Sequence, residues 1–467
     1  MDYIITYDRE KFEKEGIKPS AVKKLIQQYE NEVAGQIGTN IDYYQGKHAI
    51  QERTRDANVP NNKTVCNHAK DISDTASGYF MGNPIVYKTV EDGQEDALEK
   101  LTDALTYATC DDDDQENALM LSIAGRAYEY IYAAEGEPQL MVQPLDPANT
   151  FIVHDQTIEH KELFGVYYYY KYDDVEKKKD TKTYITVATD KEIIEYVMES
   201  DADVEPTSKK THNMGFVPII EYKNNKYCIG DFEQQIGLID AYNVMTADRV
   251  NDKEAFIDAI LVIYGSILGD TEDEEAEAMD KLKAKKLLEL DSDARAEYLT
   301  RTFDEGGMEV LRDALKEDIY TFSHVPNLTD KNFAGNSSGV AMEYKLLGLE
   351  MLTKIKERWY RRGLRKRLQI FCHFLNIKNI GVEEDNIEIV FARSLPKNLL
   401  ELSQIIANLR QDVSKKTLIS LLPFVENPDD EIDAVEKQNE EAIKQQQEMF
   451  EKTANKEPDN LQEDVNE

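Results

Sequence analysis

Apolar side chains recur at three- and four-residue steps along a stretch of the chain that begins at Val340. The members of this stripe are Val340, Tyr344, Leu347, Met351, Ile355, Trp359, Leu364, Leu368, Phe371 and Leu375. The periodicity predicts one amphipathic helix over residues 340–376. At 1.5 Å per residue such a helix is roughly 55 Å long. A helix of this length crosses a whole domain or belongs to an assembly.

Two further helical patterns flank a short insert of about forty-five residues, part of which is strongly acidic. The first helix covers 231–257, and the second follows Gly306-Gly307 and ends at His324-Val-Pro326. The insert between them holds three short strand patterns, at 260–264, 287–290 and 298–300. We interpret this layout as two helical struts that hold out a small α/β domain.

The first 230 residues combine helices with alternating, strand-like segments. Helices are predicted over 17–58, 67–80 and 111–124. A single antiparallel sheet is predicted from six strands, at 129–133, 139–143, 150–153, 166–172, 182–188 and 192–197. The whole chain is therefore assigned to the α+β class. The run Tyr167-Tyr-Tyr-Tyr170 is interpreted as a half-buried strand rather than a platform for stacking bases.

The C-terminal part of the chain is predicted to be mostly helical and then unstructured. A strand at 386–391 precedes a helix at 399–409 and a second helix after Ser414, a candidate N-cap. From residue 436 onward the sequence is rich in Glu, Gln, Lys and Asn. This composition favours helix to Phe450 at most and disorder beyond it.

Composition narrows the classes of function. The 467 residues carry a formal net charge of -36, which argues against a protein that grips DNA by neutralising phosphates. No apolar run approaches the length of a membrane helix, so we expect no membrane contact. Cys66 and His68 are close in sequence, but no second ligand pair completes a zinc site. We expect no metal, no cofactor and no disulfide.

A cluster of cations stands out in this acidic chain. It lies on the predicted long helix and consists of Lys354, Lys356, Arg358, Arg361, Arg362, Arg365, Lys366 and Arg367. One interpretation is a solvated face that forms weak surface ion pairs. The other is a contact with nucleic acid or with the acidic surface of a neighbouring subunit.

The loop before the long helix contains Gly335-Asn-Ser-Ser-Gly339, which fits the G-x-S-x-G pattern of serine hydrolases. The preceding residues 328–332 are polar and do not predict the buried strand that such a serine follows. His373 is the only later histidine, and no aspartate lies between it and Ser337. A triad is therefore hard to assemble, and a hydrolase centred on Ser337 is a minor alternative.

Five ordered blocks of sequence resemble the portal proteins of tailed double-stranded-DNA bacteriophages, of the siphovirus type, over about residues 20–435. The blocks are Asn67-His-Ala-Lys70 with Ser77-Gly-Tyr-Phe-Met-Gly-Asn-Pro84; Gly230-Asp-Phe-Glu233 with Leu238-Ile-Asp-Ala-Tyr-Asn243 and Asn251-Asp252; Val325-Pro-Asn-Leu-Thr-Asp-Lys-Asn-Phe333 with Asn336-Ser-Ser-Gly-Val-Ala-Met-Glu-Tyr-Lys-Leu346; Phe391-Ala-Arg-Ser-Leu-Pro396; and residues 414–425. Each block alone is weak, whereas the ordered set is specific.

The resemblance implies a non-enzymatic, dodecameric ring at a capsid vertex, through which DNA is packaged and ejected. It implies a wing (1–230), two stem helices (231–259 and 305–326), a clip (260–304), a tunnel loop (327–339), a long wing helix (340–376), a crown (377–435) and a tail (436–467). The implied partners are other copies of the chain, double-stranded DNA in transit, the terminase large subunit, a head-tail adaptor, and the major capsid and scaffolding proteins. The implied locations are the virion and, during assembly, the host cytoplasm.

Three groups of site residues follow from this mapping. The DNA-facing tunnel loop would present Asp330, Lys331, Asn332, Phe333, Asn336, Ser337 and Ser338. The clip would dock partners through Asp270, Glu272, Asp273, Glu274 and Glu275. The subunit interface would use Lys354, Arg358, Arg361, Arg362 and Arg365. Another virion or scaffold protein that uses its helices only for interaction is the second alternative.

Overall fold

The computed structural model describes residues 4–57, 59–90, 93–172, 179–199, 204–257, 260–264, 271, 273–274, 276–277, 295–299, 305–328, 339–393, 399–422, 425, 428, 431–439 and 443–444. The chain divides into two compact units. The first unit comprises residues 1–333 and 345–394, and the second comprises residues 334–344 and 395–467.

Helices account for much of the first unit. In chain order they are α1 (Arg9–Glu15), α2 (Pro19–Tyr29), α3 (Gly35–Tyr44), α4 (His68–Met81), α5 (Glu95–Tyr107), α6 (Cys110–Ala124), α7 (Ile236–Ile257), α8 (Glu305–Ser323) and α9 (Gly339–Ile377), whose first residues belong to the second unit. A π-helical segment, Glu30–Ala34, joins α2 to α3. The helices predicted at α4 and at α6 are present, and Asn67 caps α4 by accepting a hydrogen bond from the Lys70 amide. The helix predicted over 17–58 was too long, because α3 ends at Tyr44 and is followed by a short 3-10 helix, Ala49–Glu52. Helix α5 was not predicted.

The strands form two larger sheets and two pairs. They are β1 (Ile5–Thr6), β2 (Val86–Thr89), β3 (Arg126–Ala133), β4 (Leu140–Leu145), β5 (Thr150–His154), β6 (Glu162–Tyr172), β7 (Lys179–Ala188), β8 (Glu192–Glu199), β9 (Val204–Thr211), β10 (Ile219–Lys223), β11 (Ile260–Tyr264), β12 (Arg295–Leu299) and β13 (Ile387–Val390). Their orders are β1-β5-β6-β7-β8-β9, β10-β3-β4, β11-β12 and β13-β2.

The prediction of a single antiparallel sheet was wrong. The β3–β4 hairpin belongs to a separate sheet because β10 pairs with β3, with Ile219 opposite Tyr130. In the larger sheet, β1 is parallel to β5, whereas the other neighbours are antiparallel. The two sheets approach closely at Gly165, where a Cβ atom would lie 2.7 Å from Ile219 Cβ. Only a residue without a side chain fits there.

Two hydrophobic clusters organise the first unit. In one, α2 packs on the six-stranded sheet, and the rings of Tyr29 and Phe151 stack at 4.7 Å between centroids. In the other, the C-terminal half of α9 is buried among α4, α6 and the three-stranded sheet, and Tyr360 and Phe371 are at most 1% exposed. The C-terminal half of α9 is therefore the central helix of this cluster, and the surrounding helices and strands pack against it.

The predicted long helix is present as α9, and its ends differ from the prediction by one residue. The apolar stripe of its first half does not face the core of the subunit, because the side chains of Leu347, Met351 and Ile355 are exposed. The buried residues there are Leu346, Leu349 and Thr353, on the opposite side of the helix. Periodicity alone does not distinguish a helix face that packs in the core from one that is exposed on the subunit surface.

The second unit contains two short described helices, α10 (Leu399–Leu409) and α11 (Lys415–Ile419). The predicted cap is confirmed, since Ser414 Oγ accepts a hydrogen bond from the Thr417 amide at 3.3 Å. Residues 431–439 are also helical. The prediction of disorder beyond Phe450 concerns residues outside the described part of the chain.

Candidate functional site

The two predicted struts are present as α7 and α8, which contact each other. Between them in sequence, β11 and β12 form an antiparallel pair from Ile260 opposite Leu299 to Tyr264 opposite Arg295. The strand predicted at 260–264 is therefore confirmed, and the one predicted at 298–300 lies slightly earlier. The strand predicted at 287–290 falls outside the described residues.

The first residue of α4 lies between the two struts. The imidazole of His68 contacts the ring of Tyr242 on α7 edge-on at 4.7 Å between centroids, and its Nδ1 is 3.2 Å from the hydroxyl of Tyr320 on α8. That hydroxyl also donates a hydrogen bond to Asp71 at 2.6 Å. Burial, aided by Lys316, lowers the pKa of His68 and so favours the neutral imidazole. This contact ties both struts to the body of the unit.

A polar row along α7 attaches the same strut to the segment 48–66. Asp248 accepts hydrogen bonds from Arg53 and Arg55 at 2.8 and 2.6 Å. Asn243 Oδ1 accepts a hydrogen bond from the Cys66 amide at 2.8 Å, and Asn251 Oδ1 accepts one from the Asn62 amide at 2.7 Å. At about 100° of rotation per residue, the three acceptors lie within an arc of about 140° on one side of α7. The row fixes the rotation of the strut about its axis.

The block Gly230-Asp-Phe-Glu233 forms the junction before α7. A Cβ atom on Gly230 would lie 2.4 Å from the Ile123 carbonyl oxygen, so the chain passes too close to α6 for a larger residue. Phe232 is fully buried, and Glu233 accepts a hydrogen bond from the Gly230 amide at 3.0 Å. Asp231 receives Lys356 Nζ of α9 at 2.7 Å, in an ion pair whose side chains are 7% and 4% exposed.

A second buried ion network links α9 to α6 and the three-stranded sheet. Arg367, which is fully buried, donates from Nη1 to Asp114 at 3.0 Å and from Nε to Glu129 at 2.9 Å. Tyr360 and Tyr222 donate their hydroxyl hydrogens to the same two carboxylates at 2.6 and 2.8 Å. The carboxylates thus keep hydrogen-bond partners without water. Lys356 and Arg367 are core residues, a role that their positions in a basic run did not reveal.

The remaining cations of the run divide into engaged and exposed residues. Lys366 contacts Glu162, and Arg361 donates to the Ile389 carbonyl oxygen at 3.3 Å while its guanidinium lies 5.4 Å from the centre of the Phe391 ring. The members with exposed side chains are Lys354, Arg358, Arg362 and Arg365. Lys354 has Glu350 at 3.5 Å, and Arg362 covers the Trp359 ring at 4.1 Å. The predicted interface role therefore stays open for these four residues, whereas Arg361 is engaged within its own subunit.

Most of the other predicted site residues lie outside the described residues. This applies to the tunnel-loop residues Asp330, Lys331, Asn332, Phe333, Asn336, Ser337 and Ser338, and to the clip residues Asp270, Glu272 and Glu275. Asp273 and Glu274 are described and exposed. No group of side chains suited to a metal ion, and no helix long and apolar enough to cross a membrane, occurs in the described part of the chain.

A sequence profile of the family described as phage portal protein, SPP1 Gp6-like, matches residues 23–445. The chain belongs to this family of phage portal proteins. The portal protein of Bacillus phage SPP1 is 22% identical over 450 residues, which cover 89% of this chain and 86% of that protein. The portal protein of Clostridium phage phiCD119 is 23% identical over 419 residues, which cover 82% of this chain and 88% of that protein. The resemblance drawn from the five sequence blocks is confirmed.

One similar chain comes from a structure titled "Neck of empty GTA particle computed with C6 symmetry". The two are 12% identical with a TM-score of 0.44, over 76% of this chain and 89% of the other.

Proposed function

We propose that this portal protein assembles into a closed ring, a dodecamer, at one vertex of the phage capsid and forms the channel through which double-stranded DNA enters and leaves. The observation that carries the proposal is the match to the portal family over nearly the whole chain. The paired struts α7 and α8, attached to the body through His68 and the polar row on α7, support it. They support the β11–β12 strand pair.

In this proposal the segments between and after the struts contact the other components. The β11–β12 pair and the acidic segment between its strands, including Asp273 and Glu274, dock the terminase motor during packaging and the head-tail adaptor afterwards. The tunnel loop, with Asp330, Lys331 and the following polar residues to Ser338, faces the DNA. The exposed cations of α9 contact a neighbouring subunit. The capsid and scaffolding proteins surround the ring during assembly in the host cytoplasm.

The net charge suits a conduit rather than a DNA-binding protein. A chain of charge -36 repels phosphates, and salt screens this repulsion beyond roughly 8 Å under physiological conditions. Because the channel holds the phosphates only weakly, the duplex can slide through it; tight contacts to the phosphates would resist this movement. The packaging energy comes from the partner ATPase, and the portal itself is not an enzyme.

The direct test is the mass and shape of the purified full chain at physiological salt. We expect native mass spectrometry to give about twelve copies of the 53.6 kDa chain, and negative-stain images to show rings with a central hole. Duplex DNA should be retained weakly in a filter-binding assay. Compact monomers, or open filaments of variable length, would contradict the proposal.

A further inference from the structure

One face of α9 has a pattern of exposed side chains that its own fold does not explain. Leu347 and Met351 are 51% and 62% exposed, and Ile355 follows on the same face. Arg358 and Arg362 continue this line and are also exposed. Steps of three and four residues place all five side chains along one edge of the helix, opposite the edge that carries Tyr360 and Arg367. We call these five residues the α9 stripe.

An acidic groove lies on the other side of the same unit. It has a volume of about 450 Å³ and runs between α4 and α6, with Gly78, Asp112, Glu116 and Leu119 in its wall. A Cβ atom on Gly78 would meet nothing within 4 Å, so the groove is open. Asp74 also lines it, but Lys70 already pairs with that carboxylate at 2.9 Å. Asp112 and Glu116 are exposed and are the acids that this groove offers to a partner.

The two surfaces point in opposite directions. On α6, Asp114 faces α9, since it accepts a hydrogen bond from Tyr360 at 2.6 Å. Asp112 and Glu116 lie two residues before and after it, about 200° of helix rotation away. On α4, Phe80 packs edge-on against Tyr360 at 5.5 Å between centroids, whereas Gly78 borders the groove. A stripe on one side and a groove on the other allow head-to-tail contacts, the arrangement that closes a ring.

We infer that the α9 stripe of each subunit docks into the α4–α6 groove of the next subunit. The charges are complementary and equally spaced, because Arg358 and Arg362 are four residues apart on α9, as Asp112 and Glu116 are on α6. Four-residue ridges on two helices are the rows that pack together in helix pairs. The apolar start of the stripe favours a protein over DNA, since phosphates offer nothing to Leu347 and Met351. This inference rests on the proposed ring and identifies the surfaces that form it.

Charge reversal in matched pairs tests the inference on the full-length chain. The variant Arg358→Glu/Arg362→Glu and the variant Asp112→Arg/Glu116→Arg should each raise the subunit concentration needed for half-assembly at least tenfold in sedimentation experiments. The variant that combines all four changes keeps the natural net charge of -36 and should assemble at close to the wild-type concentration. A control for the arginine pair, Lys14→Glu/Lys161→Glu, makes the same charge change as Arg358→Glu/Arg362→Glu at side chains elsewhere that are 73% and 60% exposed, and should assemble normally.

The possible outcomes separate this inference from the proposed ring. If the wild-type chain never assembles, the proposed function fails. If the wild type forms rings and both paired variants do so at the same concentration, or if the four-residue variant stays as impaired as either pair, the docking surfaces are wrong and the ring stands. Loss of duplex binding with unchanged assembly would assign the stripe to DNA and also overturn the inference. Circular dichroism checks that each variant is folded. If the charge-reversal variant of the arginine pair does not fold, the neutral variant Arg358→Gln/Arg362→Gln is tested in its place, and unchanged assembly of that variant would also contradict docking.

Discussion

Replacing Lys356 by methionine should destabilise the first unit strongly, because it leaves the charge of Asp231 buried without its cation. The ion pair spans 2.7 Å between side chains that are 4% and 7% exposed. At an effective dielectric constant of about 20, an attraction over this distance is about 6 kcal/mol. The methionine variant also avoids the cost of burying the ammonium group, and this offsets part of the lost attraction. Measured losses for a buried pair broken at one partner are about 3–5 kcal/mol.

The local hydrogen bonds place this variant near the lower end of that range. Asp231 keeps two neutral donors, the Ser122 hydroxyl at 2.6 Å and the Asn224 amide at 2.9 Å. Each such bond stabilises the carboxylate, although neither supplies a charge. We therefore expect the free energy of unfolding to fall by about 3 kcal/mol. The double variant Asp231→Asn/Lys356→Met removes the unpaired charge. It should therefore recover more than about 1 kcal/mol of this loss, a coupling energy between the two residues that a double-mutant cycle can measure.

The assay is urea unfolding followed by the fluorescence of Trp359, the one tryptophan of the chain, which lies three residues from Lys356 on α9. Each curve should be repeated at two protein concentrations, because ring formation stabilises the folded subunit by mass action. The matched control is Lys354→Met, whose side chain is 63% exposed and should change the stability by less than about 0.5 kcal/mol. Equal effects of the two methionine variants would refute the assignment of Lys356 to the core.

Three further predictions concern other parts of the first unit. Burial acts to raise the pKa of Glu221, but Lys223 and other nearby cations hold it at about 2, below the ordinary 4.5. The stability that this carboxylate contributes is therefore complete above pH 4.5 and is lost as the pH falls through 2. Replacing it in Glu221→Gln should reduce the loss of stability at acid pH by about 3 kcal/mol, and an unchanged loss would contradict the pairing. Gly125 has a φ of +75° and no room for a Cβ atom, so Gly125→Ala should cost at least about 2 kcal/mol in thermal unfolding, and a neutral result would contradict the observed conformation. Asp248→Ala removes the acceptor of Arg53 and should speed hydrogen exchange across α7, with about 1–2 kcal/mol less protection; unchanged exchange would show that the polar row does not hold the strut.

Local pattern predicted the elements of this protein better than it predicted their partners. The extent of α9 followed from its periodicity and from the glycine-containing polar loop before it. The pairing of β10 with β3, and of β13 with β2, joins segments far apart in sequence and leaves no short-range signal. Strand propensity identifies a strand but not the sheet to which it belongs.

The candidate site shows the same limit at the level of single side chains. Lys356 and Arg367 stand in a run of cations, and only the fold shows that each faces buried carboxylates on distant segments. Leu347 and Met351 continue an apolar stripe in sequence, yet the fold leaves them exposed. Charge and hydrophobicity along a helix therefore identify residues that pack against a protein surface, whereas the three-dimensional structure shows whether that surface belongs to the same subunit.

A cryo-EM reconstruction of the purified full chain, calculated without imposed symmetry, tests the account most directly. We expect a closed ring of identical subunits around an open passage that admits a DNA duplex, with α7 and α8 of every subunit beside that passage. Single compact copies, or an open helical assembly without a closed passage, would contradict it.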